Sequence, residues 1–162
     1  MPSRQPPGWR RYGGIMRLRH GFAIVGIVAI GALALAGESP FSHGVVRHSC
    51  APWDGPAVEV TLTTSAADCD RVSEPYVSMG VWRGLPIHDG QVVKFDTKTD
   101  AGFASRCRKA GECQRAESGT IVFDKYEDGS GARGHYELQF KGGESLSGSF
   151  DVGWCKTSGM CR

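Results

Sequence analysis

The fold is decided by residues 118–154, which read SGTIVFDKYEDGSGARGHYELQFKGGESLSGSFDVGW. Apolar and polar side chains alternate over 136–140, and the same period of two returns over 146–154. This alternation is typical of a strand with one buried face, and glycine-rich segments separate the three apolar runs. We therefore predict a three-stranded meander in which the even-numbered side chains of 136–140 are buried.

Shorter runs with the same period precede the meander. They lie at 58–63, 77–82, 92–95 and 103–107. Asp89 and Gly90 stand before the third run, and an Asp-Gly pair supplies the positive φ that a tight hairpin needs. Only 66–72 has the composition of a short helix. Seven short strands with glycine-rich turns predict an all-β fold, either an antiparallel sandwich or a small barrel, and the pattern leaves both open.

The composition narrows the class of protein. The chain has 162 residues, of which 22% are charged and 40% hydrophobic, so a disordered, collagen-like or multi-span membrane protein is excluded. Five of the 19 basic residues, and no acid, lie in 1–36, so the remainder has 14 basic and 17 acidic residues and a net charge of −3. A domain of that sign has no general attraction for nucleic acid.

The N-terminal segment has the layout of a secretory signal. Arginines precede an uncharged apolar run at 21–36, which ends in Ala-Leu-Ala. We expect cleavage before Gly37. The alternative is an uncleaved inner-membrane anchor, although a helix of 16 residues spans only about 24 Å, less than the ~30 Å hydrocarbon core of a bilayer. Met16 is an alternative start that would give a leader of ordinary length. The expected location is therefore periplasmic or secreted, with membrane contact only through 21–36 if the leader stays.

These features predict three parts of the chain. Residues 1–36 form the signal peptide, 37–49 form a tether without periodicity, and 50–162 form the β domain.

An even number of cysteines follows the leader. They are Cys50, Cys69, Cys107, Cys113, Cys155 and Cys161. In an exported chain this count predicts three disulfides, and the spacing does not match the paired arms of a zinc site. Cys107 and Cys113 are close enough for a local pair around Gly111. The other four allow a local Cys155–Cys161 pair with Cys50–Cys69, or Cys50–Cys155 with Cys69–Cys161.

The C-terminal quarter carries a resemblance. Residues 118–123, 126, 134–140, 142–143, 148–150 and 154–155 resemble the tails of small exported bacterial β proteins of unknown function. The resemblance implies a bacterial envelope setting and a β fold. It implies no activity.

Catalytic and metal-binding patterns are weak. There is no G-x-S-x-G nucleophile motif, and paired cysteines leave no thiolate. Two groups of potential metal ligands stand out: His43, His48 and Cys50, and the carboxylates Asp124, Glu127 and Asp128. The first group lies in the expected tether, and the second lacks the EF-hand spacing, so we expect neither a metal nor another cofactor.

One loop is densely basic. Arg106, Arg108, Lys109 and Arg115 surround the expected Cys107–Cys113 ring, and we take these four as the candidate binding residues. A rigid loop binds with a low ordering cost. The tryptophans at 53, 82 and 154 are expected in the core, the alternative being a ligand platform.

The sequence thus favours a non-catalytic, disulfide-stapled binding domain of the bacterial cell envelope, whose partner is an envelope or extracellular protein. One alternative is an inhibitor of a secreted or periplasmic hydrolase, with Arg108 and Lys109 as contact residues. A further alternative is a hydrolase that uses carboxylates such as Asp124 or Asp128.

Overall fold

The computed structural model describes residues 39–156 and residue 161. These residues form an all-β fold without a helix, which confirms the predicted class. The strands are β1 (His43–Cys50), β2 (Pro56–Thr63), β3 (Tyr76–Val81), β4 (Gln91–Asp96), β5 (Gly102–Lys109), β6 (Glu112–Arg115), β7 (Ser118–Glu127), β8 (Gly131–Gln139) and β9 (Ser145–Trp154). The helix predicted at 66–72 does not form, because Asp68 instead accepts the backbone N–H of Asp70 in a turn.

The nine strands belong to one sheet in the order β4-β7-β8-β9-β1-β2-β3-β5-β6. Every pair is antiparallel except β1 and β9, which run parallel and join the two halves of the sheet. Buried side chains from both halves form a single hydrophobic cluster, and β4 near one edge approaches β5 near the other. The sheet therefore curls around one core, but it does not close into a barrel.

The C-terminal meander is confirmed. Strands β7, β8 and β9 pair antiparallel in sequence order. Tyr136, Leu138 and Phe140 are each at most 1% exposed, whereas the odd-numbered residues between them face solvent. Gly134 lies in the middle of β8 because a Cβ there would clash with the Val122 carbonyl oxygen.

The predicted tether is wrong from residue 39 onward. Strand β1 occupies 43–50 between β2 and β9, and its Val46 is fully buried. Before the strand, Ser39 and Phe41 are buried against Tyr136, whose hydroxyl donates to Ser39 Oγ at 2.9 Å. Sequence periodicity missed β1 because neighbouring residues Val45 and Val46 are both buried, so the strand does not alternate.

Three disulfides are present, as predicted, and the local Cys107–Cys113 pair is confirmed. The other two are Cys50–Cys161 and Cys69–Cys155, so both predicted arrangements of these four cysteines are wrong. The reason lies in the parallel β1–β9 pair. It places Cys155 beside Val46, whose carbonyl accepts the Cys155 N–H at 2.8 Å, and the loop after β2 brings Cys69 to the same place.

The Asp-Gly pair before β4 does not close a hairpin. Gly90 has the predicted positive φ, 75°, but β3 and β4 lie in different halves of the sheet. The N–H of Gly90 donates to the Phe123 carbonyl on β7 at 2.7 Å. The turn therefore carries the chain from one half of the sheet to the other.

The predicted signal peptide, its cleavage site and the alternative anchor at 21–36 all lie outside the described residues. Within 39–156 and at 161, no helix is long and apolar enough to cross a membrane. The three disulfides are typical of an oxidising compartment, such as the periplasm or the extracellular space.

Candidate functional site

The predicted basic residues lie on the β5–β6 hairpin, at one edge of the sheet. Arg106 is half-buried and is held by other residues of the protein: its guanidinium donates to both Glu144 carboxylate oxygens, at 2.5 and 2.8 Å, and lies 5.0 Å from the centre of the Phe140 ring. The hydrogen bonds to Glu144 raise the pKa of Arg106, and Arg106 in turn lowers the pKa of Glu144. Arg106 thus ties the hairpin to the β8–β9 turn at the protein surface.

Of the other three basic side chains, Arg108 lines the same shallow surface pocket as Arg106, whereas Lys109 and Arg115 are not among the residues that line it. Arg108 and Arg115 are exposed, and Lys109 pairs with Glu112 at 2.9 Å. In the register of the hairpin Arg106 is opposite Gln114, so Arg115 points to the other face of the sheet. Arg115 lies on the outermost strand, β6, and a charge there discourages pairing with another chain, which gives this residue a structural role as well.

A pocket of about 460 Å³ opens at one end of the curled sheet. Its apolar wall comes from the start of β2 and the segment between β3 and β4, and its polar wall comes from β1, β7 and the β7–β8 turn. The lining residues are His48, Pro56, Ala57, Val58, Leu85, Pro86, Ile87, Tyr126 and Asp128. The volume lies within the range of small-molecule sites in proteins, about 300 to 1,000 Å³.

The polar wall of this end pocket has a defined geometry. His48 Nε2 lies 3.0 Å from Asp128 Oδ1, and the imidazole meets the Trp154 ring edge to face at 4.7 Å. Trp154 also meets the Tyr126 ring edge to face, at 6.2 Å. Burial, together with the nearby Asp128 charge, raises the pKa of Tyr126 to about 12. The phenol is therefore a neutral hydrogen-bonding group at any physiological pH.

Strand pairing places these side chains together. Val46 and His48 are two residues apart on β1 and therefore point to the same side, so His48 continues the core face to its open end. Trp154 is the register partner of Val46 on β9. The backbone N–H of Tyr126 donates to Asp89 Oδ1 at 2.7 Å, which ties β7 to the segment that carries the apolar wall.

A row of three aromatic rings lies at the same end of the sheet, and its first ring is exposed while the other two are half-buried. We call Trp53, Trp82 and Phe103 the aromatic ridge. The Trp53 and Trp82 rings meet edge to face at 5.7 Å, and the Trp82 and Phe103 rings lie 5.5 Å apart and tilted by 34°. Trp53 is 46% exposed, so the expectation of a core position is wrong for this residue.

The ridge is held in place from several sides. The Arg83 guanidinium lies 5.2 Å from the centre of the Trp53 ring, and it is anchored by a hydrogen bond from Nε to the Asp100 carbonyl at 3.0 Å. Gly55 makes room for the indole, because a Cβ there would come within 2.5 Å of Trp53 Nε1. Trp154, in contrast, packs against the hydrophobic core, as expected.

The two groups of potential metal ligands considered in the sequence are dispersed. Cys50 is in a disulfide, and His48 faces Asp128. Asp124 pairs instead with His135 at 3.5 Å, on the solvent face of β8. Within the described part of the chain, no three histidine, cysteine or acidic side chains are grouped as a metal site.

The fold and these surfaces define the class: a disulfide-stapled all-β domain with an aromatic ridge and a pocket at one end of a curled sheet. No family model, curated protein or solved structure matches the chain.

Sequence reasoning missed the end pocket, and it gave the ridge tryptophans a surface position only as the alternative of a ligand platform. The ridge combines a residue from the β1–β2 loop with residues from the ends of β3 and β5, and no spacing in the sequence relates them. A signal was nevertheless present for Trp53, which stands in the turn-forming context Pro-Trp-Asp-Gly at 52–55. Large apolar residues in turns are candidates for exposure.

Proposed function

We propose that the chain is an exported, non-catalytic binding domain of the bacterial cell envelope, and that it recognises a protein partner through the aromatic ridge. The observation that carries the proposal is the exposure of Trp53 beside Trp82 and Arg83. Tryptophan and arginine are the residues most enriched among the hot spots of protein interfaces.

The rigidity of the ridge supports a role in binding. Trp53 packs on Trp82 and under Arg83, and Arg83 is held in turn by Asp100. Side chains that are already fixed lose little conformational entropy on association, so more of the contact energy is available for affinity. The disulfides support the export part of the proposal, because such bonds persist in oxidising compartments.

Binding is favoured over the hydrolase alternative by the partners of the two candidate carboxylates. Asp124 and Asp128 face different histidines, one on the solvent face of β8 and the other in the end pocket. Among the residues that line this pocket there is no serine, threonine or cysteine to act as a nucleophile beside the histidine.

The proposal is tested by site-specific photo-crosslinking in the producing cell. A benzophenone amino acid is placed at position 53 on the ridge, at 108 on the basic hairpin, and at 92 as the control. Val92 is a matched control because it is also apolar and 53% exposed, but it lies on β4 in the other half of the sheet. We expect a discrete protein adduct from position 53 and none from position 92.

Other outcomes overturn the proposal. An adduct from position 108 alone would place recognition on the basic hairpin and would favour the inhibitor alternative, in which Arg108 contacts a hydrolase. Inhibition of a panel of trypsin-like proteases and lysozymes by the purified chain, lost in Arg108→Ala, would then identify that function. Equal labelling from all three positions, or no labelling from any, would show that the ridge does not bind a protein partner.

A further inference from the structure

The end pocket has walls of two kinds. The side formed by residues 56–58 and 85–87 is apolar, and proline at two of these positions limits its freedom to move. The opposite side presents two rings, those of His48 and Tyr126, with Trp154 packed behind both. An occupant therefore needs an apolar body that fits between an aliphatic and an aromatic surface.

The charged groups at the pocket determine which charge an apolar ligand should carry. Asp128 and His48 are the lining residues that can carry charge, and no lysine or arginine is among the lining residues described. A second carboxylate, Asp89, is close by, where it accepts the Tyr126 N–H. The local field is therefore that of a carboxylate beside a tyrosine ring, and both of these groups can attract a cation.

We infer that the end pocket is a binding site for a small organic cation: an amine or quaternary ammonium group that faces Asp128, Tyr126 and His48, joined to an apolar body that lies against Leu85 and Ile87. This site is separate from the aromatic ridge and does not depend on the proposed protein partner. Trp82 of the ridge nevertheless belongs to the same connecting segment as residues 85–87 of the apolar wall.

The test uses three probes of similar size and different charge: 2-phenylethylammonium, 2-phenylethanol and phenylacetate. Each is titrated into the full chain, purified with its disulfides intact, and binding is followed by the backbone amide chemical shifts of the ¹H–¹⁵N spectrum. We expect saturable shifts at the pocket residues for the cation. Its affinity should exceed that of the alcohol by about fivefold, the contribution of one partly exposed charge contact, and that of phenylacetate by more.

Two variants separate the pocket from the general charge of the domain. Asp128→Asn removes the carboxylate that faces the pocket and should bring the cation and the alcohol to nearly equal affinity. Asp124→Asn is the matched control, because it neutralises a similarly exposed, histidine-paired aspartate outside the pocket. It should leave the preference for the cation unchanged. Raising the ionic strength to about 0.5 M should reduce the preference in the parent chain.

Each contrary result overturns the inference. Equal affinity for the cation and the alcohol in the parent chain would mean that the pocket selects only for apolar character. Shifts confined to Trp53, Trp82 and their neighbours would place the binding on the ridge. The absence of saturable shifts at the pocket residues would mean that the pocket is no ligand site. The protein-binding role of the ridge is tested separately, by crosslinking at position 53. A negative result in the ligand titrations therefore does not bear on the proposed function.

Discussion

Two buried threonines on strand β2 offer a sharp test of the packing, because one hydroxyl has a hydrogen-bond partner and the other has none in the described part of the chain. Thr61 and Thr63 are two residues apart, point to the same face and are 2% and 0% exposed. Thr63 Oγ1 donates to the Ser65 carbonyl at 2.6 Å. Thr61 Oγ1, in contrast, has no hydrogen-bond partner within the described part of the chain.

Replacing each threonine by valine removes the hydroxyl and keeps the shape and the β-branching. An unpaired buried hydroxyl costs roughly 1–3 kcal/mol, so Thr61→Val should raise the free energy of unfolding by about 1 kcal/mol. Thr63→Val loses the contacts of the buried hydroxyl with the Ser65 and His43 carbonyls, which should lower the free energy of unfolding by about 1 kcal/mol. The two variants should therefore differ by about 2 kcal/mol, with opposite signs relative to the parent chain.

Urea unfolding under non-reducing conditions measures both variants. With a denaturant slope of about 2 kcal/mol per molar, the two midpoints should lie about 1 M apart, on either side of the parent value. The pair controls for strand propensity and side-chain volume, because the same replacement is made twice on one strand. If Thr61→Val destabilises the protein as much as Thr63→Val does, the assignment of an unpaired hydroxyl at Thr61 is wrong.

Three further predictions concern the disulfides and two tyrosines. Cys50–Cys161 encloses Cys69–Cys155, so the shortest closed path through the inner disulfide has about 26 residues, whereas Cys107 and Cys113 are separated by 6. The free energy of unfolding should therefore fall by about 3.5 kcal/mol in Cys69→Ser/Cys155→Ser and by about 2.2 kcal/mol in Cys107→Ser/Cys113→Ser. Equal losses in urea unfolding would contradict this connectivity. Tyr136→Phe should lower the free energy of unfolding by about 1 kcal/mol in the same assay, because the buried hydroxyl donates to Ser39 Oγ and to the Phe41 carbonyl. An unchanged urea midpoint would show that this hydroxyl does not anchor residues 39–41. The pKa of Tyr126 is raised to about 12 in the folded chain, so its phenol ionises first in the unfolded chain, and stability should fall as the pH rises from about 10 to about 12. The difference in phenolate absorbance between the parent chain and Tyr126→Phe measures the ionisation of this ring. Ionisation near pH 10 would show that the ring is solvated.

The meander was predictable because its middle strand has one buried and one solvated face. Burial of Tyr136 and Leu138 beside exposed Glu137 and Gln139 is a local pattern, visible without knowledge of the rest of the fold. Strand β1 lacked that signal, since Val45 and Val46 are both covered. A strand between two others in a curled sheet can be buried on both sides, and its sequence then resembles that of an irregular segment.

The disulfide pairing and the end pocket were not predictable for a related reason. Both depend on the parallel pairing of β1 with β9, two segments about 110 residues apart. Local spacing favoured Cys155–Cys161, because a five-residue gap closes easily, but both cysteines bond to distant partners.

The basic hairpin was the most visible charge feature of the sequence. Only the structure shows that Arg106 is bonded to Glu144 on another element.

The register of β1 is the feature that joins the core to the surfaces at the pocket end. Side chains alternate between faces, so a slip of one residue would move Arg47 into the core and turn His48 away from Asp128. The buried position of Val46 opposes such a slip, and so does the hydrogen bond from the Cys155 N–H to the Val46 carbonyl. On the outer face Arg47 pairs with Glu59 at 3.2 Å, which favours the same register. The geometry of the end pocket is therefore set by apolar packing inside the sheet, and changes to its exposed residues should alter binding without altering the fold.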